Sequence, residues 1–100
     1  VKLMSHCLLP AEIANGLRFT LKDEALAQQT LEAFLNLPIQ IIALRPTLYS
    51  KSLQLAYQTK TTVYDALYHI MAIARRATFL TSDREYARAA NHLGHLEYLG

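Results

Sequence analysis

The sequence predicts an α/β protein in which short parallel strands alternate with helices. Two β-prone runs of strand length occupy residues 39–44 and 78–81, and residues 63–77 repeat apolar side chains at three- and four-residue steps. Strands separated by helices usually pair in parallel through right-handed crossovers. The chain has 100 residues, and we expect a single domain over residues 1–100 because this length can bury a core of its own.

The first third of the chain predicts two helices. Pro10 suits the first turn of a helix, where its missing N–H costs nothing, and the apolar side chains that follow form one stripe: Ile13, Ala14, Leu17 and Leu21. Glu12 lies off this stripe. A second helix is predicted over residues 24–36. Residues 1–9 show no clear period, so either they form an additional strand or an N-terminal strand is missing.

The middle of the chain predicts a strand and two more helices. The nearly continuous apolar run at residues 39–44 is typical of a strand covered on both faces. Residues 47–58 predict the third helix, and residues 63–77 predict the fourth. The apolar side chains of this fourth helix fall on one half of a helical wheel: Val63, Ala66, Leu67, Ile70, Ile73, Ala74 and Ala77.

The C-terminal part predicts strand, helix and strand. After the strand at residues 78–81, Ser82 and Glu85 match the Ser-x-x-Glu capping box that opens a helix. This helix is expected to end near Leu93, because Gly94 suits a helix C-terminus. Residues 96–99 predict the last strand.

Two aspartates stand at different places in this pattern. Asp65 is in the first turn of the fourth helix and is predicted to face away from the core, in line with Tyr68, His69 and Ala72. His69 could orient a substrate or protonate a leaving group, but a surface or ion-paired position is expected. Asp83 stands where a strand ends and a helix begins, which in a parallel sheet is the edge where ligands bind. We expect Asp65 and Asp83 to share one rim.

Composition narrows the class of protein. No apolar run approaches the roughly 20 residues of a membrane span, and no secretory signal is present. The single cysteine, Cys7, cannot form an internal disulfide, which fits a reducing compartment. We therefore predict a cytoplasmic protein that makes no membrane contact. The net charge of +2 allows RNA binding but does not indicate it by itself.

The candidate chemistry depends on three acids: Glu12, Asp65 and Asp83. Carboxylate oxygens are the ligands that Mg²⁺ and Mn²⁺ prefer, and a metal held there would activate water towards a phosphodiester. Each acid also has a structural explanation, since acids near helix N-termini cap the helix or interact favourably with its dipole. Similarly, the arginines Arg75, Arg76, Arg84 and Arg88 could contact RNA phosphates or simply form solvated helix faces.

A resemblance to a known family is carried by three segments. The block YDALYHIMAIARRATFLTSDREY resembles the C-terminal part of the PIN domain, the nuclease fold of VapC-type toxins, in which a Tyr-Asp-Ala-x-Tyr helix start precedes a strand ending in Thr-x-Asp. LLPAEIANGLR is similar to the family's helix that bears the second acid, and PIQIIAL to its middle strand. The resemblance implies a three-layer α/β/α PIN-like fold with a small parallel sheet.

The same resemblance implies a function. It assigns Glu12, Asp65 and Asp83 as catalytic and metal-binding acids of an endoribonuclease that uses Mg²⁺ or Mn²⁺. Its substrate would be RNA, and an antitoxin protein would be a possible partner.

The sequence differs from the family pattern at the N-terminus. The family opens with a strand that bears its first aspartate, and residues 1–9 contain no acid. We therefore expect an N-terminally truncated PIN-like fold with an open sheet edge, which would favour a homodimer. Two alternatives remain open at this point. One is a catalytically inactive remnant that acts through dimer or antitoxin contacts, and the other is a small unrelated α/β domain in which the two aspartates lie far apart.

Overall fold

A computed structural model describes residues 3–100 and confirms a mixed α/β architecture with parallel strands. The elements in chain order are β1 (Leu3–His6), α1 (Leu9–Thr20), α2 (Glu24–Leu35), β2 (Ile39–Ile42), α3 (Pro46–Thr59), α4 (Val63–Ala74), β3 (Phe79–Thr81), α5 (Arg84–Ala90), a 3₁₀ helix (Asn91–Leu93) and β4 (Leu96–Tyr98). The chain divides into an N-terminal unit, Val1–Ala43, and a C-terminal unit, Leu44–Gly100. The single domain predicted over residues 1–100 stays a prediction.

The N-terminal unit contains a two-stranded parallel sheet. β1 pairs with β2 in register from Leu3 opposite Ile39 to His6 opposite Ile42. The opening residues therefore form an additional strand, and the absence of the family's N-terminal strand stays a prediction; Val1 and Lys2 lie outside the described residues. β2 is shorter than predicted and is not covered on both faces, because Gln40 and Ile41 are exposed and only Ile42 is buried.

Helices α1 and α2 connect these two strands. Pro10 lies in the first turn of α1 as predicted, and the Asp23 carboxylate caps α2 by accepting the backbone N–H of Ala25 at 3.0 Å. Neither helix contains a fully buried residue. The predicted apolar stripe of α1 is only half-buried, so these helices expose more apolar surface than their periodicity indicates.

The core of the C-terminal unit forms where α3 packs on α4. Leu55 and Ala56 of α3 meet Ala66 of α4, and Val63 and Ile70 pack against this cluster. Between the two helices Lys60 adopts a left-handed conformation with φ 57°. The Thr62 hydroxyl then caps α4 by accepting the backbone N–H of Asp65 at 3.3 Å.

The prediction that α4 has a single buried face is wrong. His69, Met71 and Ala72 are buried as well as Ala66 and Leu67, whereas Ala74 is exposed. The second buried face packs against β3 and α5, since the His69 ring lies 6.0 Å from the Phe79 ring and 5.6 Å from the Tyr86 ring. This face can be buried without an apolar stripe, because Ala72 is small and the polar atoms of His69 are hydrogen-bonded.

The C-terminal sheet pairs β3 with β4 in parallel, with Thr81 opposite Tyr98. Asp83, not Ser82, is the N-terminal cap of α5 and accepts the backbone N–H of Tyr86, so the predicted capping box of Ser82 and Glu85 does not form. Gly94 ends the 3₁₀ helix with φ 70° and ψ −170°, a conformation open essentially only to glycine. No helix within residues 3–100 is both long and apolar enough to cross a membrane.

The packing of α3 on α4 leads to a stability prediction. Leu67 is 2% exposed and Leu53 is 51% exposed. We expect Leu67→Ala to lower the free energy of unfolding by about 2–5 kcal/mol, because it removes buried methyl groups and leaves a cavity. The same substitution at Leu53 should cost about 0.5 kcal/mol or less. Denaturant unfolding measures both values, and equal losses would contradict the assignment of the core.

Candidate functional site

Asp83 lies directly after β3, at the N-terminus of α5. Its backbone N–H donates to the Thr81 hydroxyl at 3.1 Å, and its Oδ1 accepts the backbone N–H of Tyr86 at 3.1 Å. These two bonds fix both the backbone and the carboxylate. The side chain is exposed, and Oδ2 accepts no hydrogen bond from any residue between 3 and 100. One carboxylate oxygen is therefore positioned by the fold and the other faces outward for a ligand.

Asp65 lies in the first turn of α4 and is half-buried. The hydroxyl of the capping residue Thr62 donates to Asp65 Oδ2 at 3.4 Å. The negative charge of Asp65 also acts on the phenol of Tyr86: burial is the main cause that raises the pKa of Tyr86, and Asp65 raises it further. The charge of Asp65 thus acts on the phenol end of Tyr86, whereas Asp83 is bonded to the Tyr86 backbone.

Tyr86 is 1% exposed and is held by a chain of hydrogen bonds. Its hydroxyl lies 2.8 Å from Nδ1 of His69, and Nε2 of His69 lies 2.8 Å from the Gly94 carbonyl oxygen. A carbonyl can only accept, so Nε2 carries the hydrogen and Nδ1 accepts the hydrogen of the Tyr86 hydroxyl. Burial lowers the pKa of His69, with further lowering by His95 and His92 and an opposing effect of the Gly94 bond. The imidazole is therefore neutral at pH 7.

Aromatic contacts surround this hydrogen-bonded pair. The Tyr86 ring meets the edges of the His69 and Phe79 rings, with centroids 5.6 Å and 5.8 Å apart. Phe79 in turn stacks on Tyr68 at 5.7 Å. Edge-to-face and offset contacts of this kind are favourable. These ring contacts hold Tyr86, in the helix that Asp83 caps, against His69 of the helix that carries Asp65.

Glu12, the third predicted acid, is exposed in the first turn of α1 in the N-terminal unit. There it acts on His6: burial lowers the pKa of the His6 imidazole, and the charge of Glu12 opposes this effect. Nδ1 of His6 accepts the backbone N–H of Leu8 at 3.2 Å. The assignment of Glu12 to one site with Asp65 and Asp83 stays a prediction.

The donor set can be compared with what a divalent ion requires. Within neither unit do the described residues form a group of three or more His, Cys, Asp or Glu side chains that could hold a metal. The pair Asp65 and Asp83 still fits Mg²⁺ in chemistry, because this ion commonly uses one or two protein carboxylates and keeps several waters. The assignment of Asp65 and Asp83 as metal ligands stays a prediction.

Sequence reasoning missed the role of His69. It was expected at the surface or in an ion pair, yet it is completely buried and partners Tyr86. Tyr86 lies 17 residues after His69 in the sequence, too far for a local pattern to connect the two. A neutral histidine between a hydroxyl and a carbonyl leaves no periodic signal, so only the tertiary contact reveals it.

Comparison with known proteins adds no relative. No family model matches the chain, and no curated protein matches it in sequence. Membership of the PIN-domain family stays a prediction.

The buried imidazoles lead to a prediction about pH. The pKa of folded His69 lies below its ordinary value of 6.5, so below about pH 6.5 the unfolded chain binds a proton that the folded chain does not. We expect the free energy of unfolding to fall between about pH 7.5 and about pH 5.5, with His6 contributing in the same direction.

The variant His69→Gln isolates one of these two histidines. Its amide can still accept from Tyr86 and donate to Gly94, but it cannot titrate, so it should lose less stability on acidification than the wild type. The exposed His92, substituted in the same way, is the control and should retain most of the wild-type loss, because it has the smallest of the effects on the pKa of His69. Denaturant unfolding at the two pH values measures the difference. An unchanged pH dependence in His69→Gln would contradict a neutral buried imidazole.

Proposed function

We propose that this chain is a Mg²⁺- or Mn²⁺-dependent endoribonuclease of the VapC-like toxin class with a PIN-like α/β/α fold. The observation that best supports the proposal is the association of Asp65 and Asp83 with one buried residue. Asp83 accepts the backbone N–H of Tyr86, and the charge of Asp65 raises the pKa of the Tyr86 phenol. Both are acids that the PIN-domain resemblance assigns to the site, although they are 18 residues apart in the sequence.

The proposed roles follow from the bonds that each aspartate makes. Asp83 would offer Oδ2 to the metal, because Oδ1 is held by the Tyr86 N–H. Asp65 would provide a second carboxylate, oriented from the first turn of α4 by Thr62. A divalent ion bound there would supply an activated water and would stabilise the charge that develops on the phosphoryl oxygens. Rigid support of both aspartates limits the reorganisation that metal binding requires.

Asp65→Asn and Asp83→Asn test these roles. Each substitution keeps the size of the side chain and removes a negative charge, so we expect RNA cleavage in Mg²⁺ or Mn²⁺ to fall about 100-fold or more, since the metal contributes several kcal/mol to transition-state stabilisation. Glu85→Gln is the matched control, because Glu85 is an exposed acid in the first turn of α5 that the proposal leaves unused. Equal cleavage by the wild type and both asparagine variants would reject the assignment.

A second candidate function is supported by the N-terminal unit. Here the chain would be a catalytically inactive PIN-like protein that acts through protein contacts, either as a dimer or with an antitoxin. Helices α1 and α2 contain no fully buried residue. A groove of about 540 Å³ between them is lined by Leu17, Leu21 and Leu31, with the charged Arg18, Lys22 and Glu24 also in its lining. Exposed apolar surface of this kind is typical of protein interaction sites.

The oligomeric state tests the contact surface. We expect the wild type to form a homodimer and Leu31→Lys to be monomeric, because a charge in the groove would be desolvated by the partner. Gln29→Lys is the control on the same helix, since Gln29 is exposed and does not line the groove. Size-exclusion chromatography with light scattering gives the mass of each protein. A wild type that is monomeric at every concentration would contradict the predicted dimer.

A further inference from the structure

Arg84 and Tyr98 contact each other at the carboxyl edge of the C-terminal sheet. The Arg84 Nε–H donates to the Tyr98 hydroxyl at 3.4 Å, and its guanidinium carbon lies 6.0 Å from the centre of the Tyr98 ring. Arg84 is the first residue of α5, and Tyr98 is the last residue of β4. The contact therefore joins the start of a helix to the end of a strand.

The position of Arg84 is unfavourable for helix stability. The N-terminus of a helix carries a partial positive charge, so a cation in the first turn is disfavoured and an acid is preferred. Arg84 makes no ion pair with any residue between 3 and 100, and its guanidinium is exposed. The contact with Tyr98 leaves most of its donors unused, because a guanidinium has five N–H groups. It can therefore bind an anion from solution.

The pair lies next to the candidate site. Arg84 follows Asp83 directly in the chain. Tyr98 lies opposite Thr81 in the sheet, and the Leu99 N–H donates to the Thr81 carbonyl at 2.8 Å. Thr81 also accepts the Asp83 N–H through its hydroxyl. Hydrogen bonds at the ends of β3 and β4 thus position Asp83, Arg84 and the Tyr98 ring.

We propose that Arg84 and Tyr98 form a substrate contact for single-stranded RNA, in which Arg84 binds a backbone phosphate and the Tyr98 ring packs against a base. The inference rests on the proposed function, because it takes RNA as the ligand. Tyr98 is 37% exposed, so part of its ring is open to solvent. Unpaired bases stack on such rings, whereas bases in a duplex do not expose their faces.

RNA binding without metal tests this contact separately from cleavage. A short fluorescent single-stranded RNA is titrated with the full chain in EDTA, and anisotropy is followed over a range of salt concentrations. Arg84→Gln should bind more weakly and lower the slope of log affinity against log salt by about one phosphate contact. Arg88→Gln, an exposed arginine in the last turn of the same helix, should behave like the wild type.

Two variants of Tyr98 separate the ring from the hydroxyl. Tyr98→Phe keeps the stacking surface and should retain most of the affinity, whereas Tyr98→Leu should lose about fivefold or more. Arg84→Gln should also be at least as stable as the wild type, since it removes a cation from a helix N-terminus. A merely structural Arg84–Tyr98 contact predicts the opposite, namely lower stability with unchanged RNA affinity.

The inference is overturned if the wild type does not bind the RNA, or if Arg84→Gln binds it with the affinity and salt dependence of Arg88→Gln. Should Tyr98→Leu fail to fold, the Arg84 and Arg88 comparison still decides. A chain that binds RNA through Arg84 but does not cleave it in Mg²⁺ or Mn²⁺ would contradict the proposed nuclease function and support this contact. The two failures are therefore distinguishable.

Discussion

The hydrogen bond between Tyr86 and His69 is the interaction on which the C-terminal unit depends. It joins α5 to α4, and the bond from His69 to the Gly94 carbonyl extends the connection to the turn before β4. The Tyr86 hydroxyl, both nitrogens of His69 and the Gly94 carbonyl are each hydrogen-bonded in this way, and leaving a buried polar group without its partner costs about 1–3 kcal/mol. The neutral imidazole suits this place because it can donate and accept at once. Gly94 suits it because the backbone conformation that presents the carbonyl has a positive φ.

The candidate site is a consequence of this buried arrangement. Asp83 belongs to the same turn as Tyr86, so fixing the ring in the core also fixes the start of α5 and the carboxylate that caps it. The charge of Asp65, in the first turn of α4, raises the pKa of the Tyr86 phenol beyond the effect of burial. Exposed acids of a metal site must be held rigidly by residues that do not touch the ligand. In the proposed site, an interior tyrosine and histidine would provide that support, while Arg84 and Tyr98 would extend the same edge towards a substrate.

The sequence predicts the regular elements better than their contacts. Periodicity located α2, α3 and α4 closely, because each has a continuous apolar pattern, and Pro10 marked the first turn of α1. Periodicity failed at His69, a polar residue that is buried because it has hydrogen-bond partners elsewhere in the fold. It also failed at the start of α5, where both Ser82 and Asp83 are residues that can cap a helix. Strand β1 was not assigned from the sequence, because a segment of four residues is too short to show a period. For the site, the pattern identified Asp65 and Asp83, but Tyr86 as their common neighbour follows only from the fold.

The proposed metal site requires that Asp65 and Asp83 bind the same divalent ion. Paramagnetic broadening by Mn²⁺ in amide NMR spectra measures this directly, because a bound Mn²⁺ broadens the amide signals of nearby residues. The proposed site predicts that the amide signals of residues 65 and 83 broaden together at one low Mn²⁺ concentration in the wild type, and that neither broadens at this concentration in Asp65→Asn or Asp83→Asn. Broadening near only one of the two aspartates, or near neither, would contradict it.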